Sequence, residues 1–335
     1  MAGNVKALAM FSGGLDSVLA AKLIIDQGVE VEGIHFSNVF SQFYGEHDES
    51  GGTGVERLAQ VLGITLHKDN ISEELAELVK HPKHGYGSGM NPCIDCRILS
   101  TRRAGVVMER IGAKFVITGE VLGQRPMSQH RKALELIARE SGLPGLIVRP
   151  LSAQLLEPTV PEKEGMVDRD RLLALRGRSR RTQLSLAEEF GITGYQTPAG
   201  GCLLTEAAFS TRLHDLFEHD PKAGLVEMSI LRYGRHIRIS PTVKIIVGRD
   251  EADNHALERY RAGRAVLEAT DYPGPVTLAP AGLPDEMKAF AAAITARYGQ
   301  GRDQPVVQVN CSESGLSETI KTEPVPLAQI KPLII

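Results

Sequence analysis

The chain has little net charge, few cysteines and no long apolar run. At a formal net charge of −3, no overall field attracts nucleic acid, so such a partner needs a local basic patch. Four cysteines in 335 residues form no disulfide framework, which leaves metal or redox chemistry for them. Apolar runs fall short of the roughly 20 residues of a membrane span, and no charged and apolar presequence precedes the first strand pattern. We therefore expect a cytoplasmic protein without a membrane partner.

The first half of the sequence alternates strand and helix patterns. Strand patterns cover residues 7–11, 31–36, 64–68, 115–118 and 146–149. Helical patterns cover residues 17–27, 55–62, 73–80, 97–111 and 130–139, and a further one covers residues 182–190. This alternation predicts an α/β fold, a Rossmann-like parallel sheet with helices on both faces. Ligands of such sheets bind beyond the carboxyl ends of the strands.

A glycine-rich turn follows the first strand pattern, with the residues Ser12, Gly13, Gly14, Leu15, Asp16 and Ser17. A strand that breaks at two glycines and then opens a helix presents free backbone N–H groups, which bind anions. Ser12 and Ser17 add hydroxyl donors, while Asp16 is a candidate Mg²⁺ ligand or helix cap. No lysine ends the turn, so it differs from a Walker A loop and favours binding of the pyrophosphate part of ATP.

This hexapeptide resembles the PP-loop of ATP pyrophosphatases, enzymes that adenylate a carbonyl oxygen and release pyrophosphate. The resemblance implies bound ATP and Mg²⁺ and a sheet of the PP-loop/HUP type. Further polar residues end neighbouring strands, His35 and Ser37 at the second and Gly119 and Glu120 at the fourth. We expect His35 and Ser37 to flank the adenosine, with a purely structural His35 as the alternative.

The cysteines form a second group of candidates. Cys93 and Cys96 follow Pro92 near the start of a helical pattern, Cys202 lies in a loop with two glycines, and Cys311 follows a strand pattern near the chain end. Three cysteines are a poor closed zinc site, whereas a 4Fe-4S cluster held by three thiolates keeps one iron open. We favour a cluster on Cys93, Cys96 and Cys202, while a persulfide or disulfide relay and a zinc site remain alternatives.

Residues 118–124 read Thr-Gly-Glu-Val-Leu-Gly-Gln, with Ser128 and Gln129 close behind. This segment resembles the tRNA 4-thiouridine synthetase family, whereas the related 2-thiouridine enzymes carry Thr-Gly-His there. The resemblance implies a tRNA substrate, hydrosulfide or a persulfide carrier as sulfur donor, and nucleotide or uridine contacts from Gly119, Glu120 and Gln124. The chain is similar to the short CxxC form of the family, without the amino-terminal RNA-binding modules and without a rhodanese-like domain.

Two basic stretches are candidates for RNA contact. The first contains Arg169, Arg171, Arg176, Arg178, Arg180 and Arg181, and the second contains Arg232, Arg235, Arg238, Lys244 and Arg249. Phosphate contacts of this kind supply affinity without sequence specificity, and solvated surface charge is the alternative for each stretch. Residues 244–254 also resemble the RNA-binding domain of the NFACT family, which favours RNA.

These patterns predict three segments. They are a PP-loop nucleotide-binding domain over residues 1–155, an arginine-rich, cysteine-bearing extension over 156–220 and a small α+β RNA-binding domain over 221–335. The predicted function is ATP-dependent tRNA sulfur transfer, with catalysis by Asp16, Glu120 and the three cysteines. We favour 4-thiouridine as product and leave 2-thiouridine open. A PP-loop enzyme for a small molecule and a non-catalytic RNA-binding protein are the alternatives, and a homodimer is compatible with the sequence.

Overall fold

The computed structural model describes residues 5–42, 54–195 and 201–335. Contacts divide the chain into two compact units, Met1–Thr205 and Glu206–Ile335. Residues 173–177 belong to the first unit because their backbone N–H groups donate to carbonyls of Pro150, Leu151 and Leu122. The three predicted segments and their separate roles stay predictions.

The first unit contains a five-stranded sheet. Its strands are β1 (Lys6–Met10), β2 (Glu30–Ser37), β3 (Leu66–Asn70), β4 (Phe115–Ile117) and β5 (Ile147–Val148). The order is β3-β2-β1-β4-β5, and all four pairings are parallel. The Rossmann-like parallel sheet predicted from the sequence is thereby confirmed, with β1 at its centre.

Helices connect the strands of this sheet. They are α1 (Leu15–Ile25), α2 (Gly54–Val61), α3 (Ser72–Lys80), α4 (Cys93–Arg110) and α5 (Arg131–Glu140), while α6 (Val160–Lys163) and α7 (Arg181–Glu189) follow the last strand. The largest difference from expectation is α4, which begins at Cys93 rather than at residue 97. Pro92 precedes the helix, and its fixed φ suits a helix start, so both cysteines of the motif lie in the first turn.

Successive residues of β1 pack against different helices. Ala7 and Ala9 belong to one buried cluster with Leu19 of α1, whereas Leu8 belongs to another with Ala104 of α4. Because side chains alternate along a strand, these two clusters lie on opposite faces of the sheet. The prediction of helices on both faces is confirmed.

The second unit is built on a six-stranded sheet. Its strands are β6 (Arg235–Ser240), β7 (Val243–Val247), β8 (Arg264–Ala269), β9 (Thr277–Pro280), β10 (Val307–Glu313) and β11 (Leu316–Thr322). The order is β11-β10-β8-β9-β7-β6, and every pairing is antiparallel. Its helices are α8 (Ala207–His219), α9 (Leu225–Ser229), α10 (Glu251–Glu258), α11 (Asp285–Tyr298) and α12 (Leu327–Ile330). The unit is the α+β domain expected at this end of the chain.

The sequence pattern predicts that Cys311 follows a strand, whereas the structure places it within β10. Its side chain is buried in the core that α11 forms with the sheet, together with Ile294 and Val309. Burial raises the pKa of the Cys311 thiol. No helix among the described residues is both long and apolar enough to cross a membrane.

Candidate active site

The turn between β1 and α1 has the geometry of an anion site. Gly13 adopts a φ of +75°, which L side chains rarely adopt, and Gly14 at the N-cap offers no side chain to the N–H groups of the first helical turn. Ser17 is buried and donates from Oγ to the Gly14 carbonyl at 2.8 Å, while the Ser12 hydroxyl lies 3.2 Å from the Ser17 hydroxyl. The turn is therefore held in shape from within, and its helical N–H groups suit a phosphate.

Gly119 at the end of β4 packs directly against this turn. A Cβ atom at Gly119 would lie 2.5 Å from the carbonyl carbon of Asp16 and 2.5 Å from the Ser17 nitrogen. Backbone atoms cannot yield to such a contact as a flexible side chain can. A glycine is required at this position because the two backbones touch.

Asp16 lies in the first turn of α1 and does not cap it. Its Oδ2 accepts hydrogen bonds from Gln124 Nε2 at 2.7 Å and from Arg180 Nη2 at 3.2 Å. Its Oδ1 is buried and has no hydrogen-bond partner among the described residues. An unpaired, buried carboxylate oxygen beside a phosphate-binding turn fits the ligand preference of Mg²⁺.

Glu120 is buried and surrounded by partners. Its Oε2 accepts from Arg149 Nε at 3.0 Å and from Thr118 Oγ1 at 3.1 Å, and Arg97 Nε lies 3.9 Å from Oε1. Burial alone raises the pKa of Glu120, but Arg149 and Arg97 outweigh it and the pKa is lowered. A carboxylate held ionised in this way orients its neighbours and is a poor proton donor.

His35 and Ser37 lie on β2, next to the turn. His35 Nδ1 is 3.2 Å from the Phe11 carbonyl oxygen, and burial lowers the pKa of the ring. The imidazole is therefore neutral near pH 7. The contact of His35 and Ser37 with adenosine stays a prediction.

The three predicted sulfur ligands belong to the first unit. Cys93 and Cys96 form the first turn of α4, and Cys96 N donates to the Pro92 carbonyl at 2.8 Å. The Cys202 segment is fixed on both sides, since Leu203 N donates to the Phe40 carbonyl at 2.8 Å and Met90 N donates to the Leu204 carbonyl at 3.0 Å. The Cys202 segment thus joins the loop after β2 to the loop before α4. Residues 198–200 of the predicted loop lie outside the described residues.

The cysteine thiols influence one another. Burial raises the pKa of Cys96 to about 11, with a further contribution from Cys93. Burial, with smaller contributions from Cys96 and Cys93, raises the pKa of Cys202 to about 12. Such thiols carry little negative charge unless a soft metal ion binds them, and three soft sulfur donors suit an iron-sulfur cluster or zinc. Among the described residues, no group of three or more His, Cys, Asp or Glu is already arranged for a metal ion, so the cluster stays a proposal.

Arg125 is the residue of this region that sequence reasoning missed. Desolvation and the charge of Arg97 lower the pKa of Arg125, whereas Cys93, Asp16 and Cys202 raise it. Its guanidinium is thus within electrostatic reach of both the turn and the cysteines. The available signal was its position directly after Gln124, at the end of the segment that resembles thiouridine synthetases.

The predicted RNA-binding residues differ in their surroundings. Arg178 and Arg181 are exposed, whereas Arg180 pairs with Asp16. Several others have internal partners: Arg169 pairs with Glu162, Arg171 donates to the Asp26 carbonyl, Arg235 lies over the Tyr298 ring with Arg232 near Tyr233, and Arg238 and Lys244 both pair with Asp215. The contact of these residues with RNA stays a prediction.

Comparison with known proteins gives two family matches. Residues 2–155 match the family described as thiamine biosynthesis protein (ThiI), and residues 234–333 match the NFACT protein RNA binding domain. The tRNA-specific 2-thiouridylase MnmA of Sulfurimonas denitrificans is 33% identical over 121 residues, 35% of each chain. The probable tRNA sulfurtransferase of Thermococcus kodakarensis is 29% identical over 156 residues, 44% of this chain and 36% of the relative. The chain thus spans about a third of the length of these curated relatives.

Two solved structures are also similar. A 4-thiouridine synthetase in complex with RNA and ATP is 24% identical with a TM-score of 0.37, covering 56% of this chain and 50% of that chain. The U34-tRNA thiolase NcsA from Methanococcus maripaludis, solved with its 4Fe-4S cluster, is 17% identical with a TM-score of 0.37, covering 68% and 71%. The two family matches thus lie on separate parts of the chain: residues 2–155 are similar to the ThiI family, and residues 234–333 are similar to the NFACT protein RNA binding domain.

Proposed function

We propose that the protein is an ATP-dependent tRNA sulfurtransferase, which adenylates a uridine carbonyl oxygen and replaces it with sulfur. One arrangement carries the proposal: Asp16 of the PP-loop accepts a hydrogen bond from Gln124 at 2.7 Å, and the next residue, Arg125, has a pKa that is influenced by Asp16, Cys93 and Cys202. Adenylation takes place at the carbonyl oxygen and sulfur transfer at the carbon that carries this oxygen, so the groups for both steps have to meet in one site. The proposed product is 4-thiouridine in tRNA.

The first half of the reaction uses the PP-loop. The N–H groups at the start of α1 bind the pyrophosphate part of ATP, and the uridine carbonyl oxygen attacks the α-phosphorus. A new P–O bond forms, the bond to pyrophosphate breaks, and pyrophosphate leaves with its electrons. Asp16 would hold Mg²⁺, whose charge offsets that of the phosphates. Gln124 fixes the Asp16 carboxylate through its 2.7 Å hydrogen bond.

The second half uses the cysteines. A sulfur nucleophile attacks the activated ring carbon, the C–O bond breaks, and AMP leaves with the former carbonyl oxygen. Cys93, Cys96 and Cys202 would hold the 4Fe-4S cluster, which when bound supplies an iron without a protein ligand for hydrosulfide. Arg97 and Arg125 add positive charge beside these cysteines, which favours an anionic sulfur donor.

The second unit and the exposed arginines are proposed to bind the tRNA. The family match of residues 234–333 supports this role, as does the exposure of Arg178 and Arg181. The base is proposed to turn out of its stack to reach the ends of the strands. A small-molecule substrate would require neither the second unit nor these arginines.

The proposal is tested by nucleoside analysis of tRNA from a deletion strain that is complemented with variants. We expect a thiolated uridine to vanish in the deletion strain and to return with the wild type and with Cys311→Ala, but not with Asp16→Ala or Cys202→Ala. Anaerobically purified protein should contain roughly four iron and four sulfide per chain. Unchanged tRNA in the deletion strain would exclude the proposed substrate, and thiolation by iron-free protein would favour a cysteine persulfide.

A further inference from the structure

The segment from Arg176 to Gln183 lies against the PP-loop region of the first unit. Gly177 N donates to the Leu122 carbonyl at 2.8 Å, and Arg176 forms a β-bridge with Leu122. Farther along, Gln183 Nε2 lies 3.4 Å from Gln124 Oε1, and Gln124 in turn binds Asp16. These contacts fix the backbone on both sides of Arg180.

Arg180 pairs with Asp16 through Nη2 but leaves a buried donor, its Nε, without a partner among the described residues. Its Nη2 lies 3.2 Å from Asp16 Oδ2, and its side chain is 19% exposed. The Nε of Arg180 and the Oδ1 of Asp16 are both buried and have no hydrogen-bond partner among the described residues. One side of this ion pair thus offers a buried donor without a partner, and the other side a buried acceptor. A ligand that has both anionic oxygens and a bound cation would pair with both of them.

The PP-loop supplies no cationic side chain of its own, since residues 12–17 contain no lysine or arginine. A guanidinium donates from Nε and Nη in one plane, which matches two oxygens of a phosphate group. We infer that Arg180 is a ligand of the terminal phosphates of ATP, brought to the loop from 164 residues farther along the chain. The inference rests on the proposed function, because it assigns a ligand within the same ATP site.

This role differs from the RNA contact that the sequence predicts for Arg180. An arginine that binds RNA has to be exposed, whereas Arg180 pairs with the PP-loop aspartate. That aspartate also binds Gln124, which in turn contacts Gln183 at the start of α7. A side chain that contacts the terminal phosphates affects the binding of ATP and pyrophosphate but not that of AMP, which lacks these phosphates. Binding measurements therefore separate the two roles.

The experiment measures binding of Mg²⁺-ATP, Mg²⁺-pyrophosphate and AMP to the full chain by calorimetry. Arg180→Gln keeps hydrogen-bonding capacity toward Asp16 but removes the charge, and Arg180→Lys keeps the charge but not the planar pair of donors. We expect Arg180→Gln to weaken the binding of ATP and pyrophosphate about 10-fold to 100-fold, in line with the loss of a charged hydrogen bond. The affinity for AMP should stay within about threefold of the wild type. Arg180→Lys should fall between. Arg110→Gln, an exposed arginine at the end of α4, is the matched control.

Four outcomes would overturn the inference. An equal loss of ATP, pyrophosphate and AMP binding together with a lower melting temperature would indicate a structural ion pair. If ATP binding were unchanged and the slope of log tRNA affinity against log salt concentration were flatter by about one unit, Arg180 would be assigned to RNA contact. ATP binding equal to that of the wild type in both variants overturns the inference alone, whereas a wild type that binds no ATP overturns the proposed function with it.

Discussion

Removing Arg149 should destabilise the first unit strongly, because Glu120 would stay buried without its main partner. The side chains of Arg149 and Glu120 are 9% and 5% exposed, and their contact is 3.0 Å. Breaking a buried ion pair by removing one partner costs about 3 to 5 kcal/mol. In a unit of this size, each kcal/mol lowers the melting temperature by about 2 to 4 °C. We therefore expect Arg149→Met to lower it by about 6 to 20 °C.

Calorimetry of the full chain measures this change, with Asp215→Asn as a marker for the transition of the second unit. The double variant Glu120→Gln/Arg149→Met should recover at least about 1 kcal/mol relative to the sum of the single variants, because neither member of this pair is then left as a charge without the other. The lowered pKa of Glu120 means that the pair stabilises the fold above pH 4.5, its ordinary pKa, and that this stabilisation is lost as the pH falls through the folded-state value. The reasoning would be refuted if Arg149→Met lowered the melting temperature by less than about 3 °C, or if the stability effects of the two single variants simply added in the double variant.

Three further predictions concern other parts of the chain. Gly119→Ala should abolish ATP binding, measured by calorimetry, because its Cβ would lie 2.5 Å from backbone atoms of the PP-loop. Arg238 lowers the pKa of Asp215 despite burial, so the second unit should lose stability in thermal melts as the pH falls below about 3.8, and Asp215→Asn should remove this loss. In metal-free protein, Cys96 should react with iodoacetamide about 100-fold, and Cys202 about 1000-fold, more slowly at pH 8 than a free thiol, as followed by mass spectrometry.

Each of these predictions has a contrary result. ATP binding by Gly119→Ala at wild-type strength would mean that the loop yields to a methyl group. Equal acid sensitivity of Asp215→Asn and the wild type would assign the loss to other carboxylates. Rapid alkylation of Cys202 at pH 8 would mean that its thiol is ionised without a bound metal.

The sheet could be predicted from the sequence because its signals are local. Short apolar runs alternate with helical patterns, and the element centres agree with the structure from β1 to β5 and for α7, whereas the four-residue α6 has no such pattern. The PP-loop was equally predictable, since strand, glycines and helix follow one another directly. The helical pattern over residues 97–111 begins later than α4, whereas Pro92 before the two cysteines correctly indicated the start of the helix at Cys93.

The partners of the charged residues could not be predicted, because they come from distant elements. Arg238 and Lys244 are cross-strand neighbours on β6 and β7, so their like charges repel unless a carboxylate lies between them. Asp215 of α8 supplies that carboxylate, at 2.7 Å and 3.4 Å. Nothing in the local pattern of residues 228–249 indicates that α8 packs there. The same holds for Arg180 and Asp16, which only the folded chain brings together.

The central claim is that the uridine carbonyl oxygen is adenylated and leaves with AMP. The most direct test uses tRNA labelled with ¹⁸O at the uridine carbonyl, incubated with the protein, Mg²⁺-ATP and sulfide under anaerobic conditions. We predict that thiolated uridine, pyrophosphate and AMP form in equal amounts and that each AMP carries one ¹⁸O atom. AMP without the label, or ADP and phosphate in place of AMP and pyrophosphate, would contradict the account.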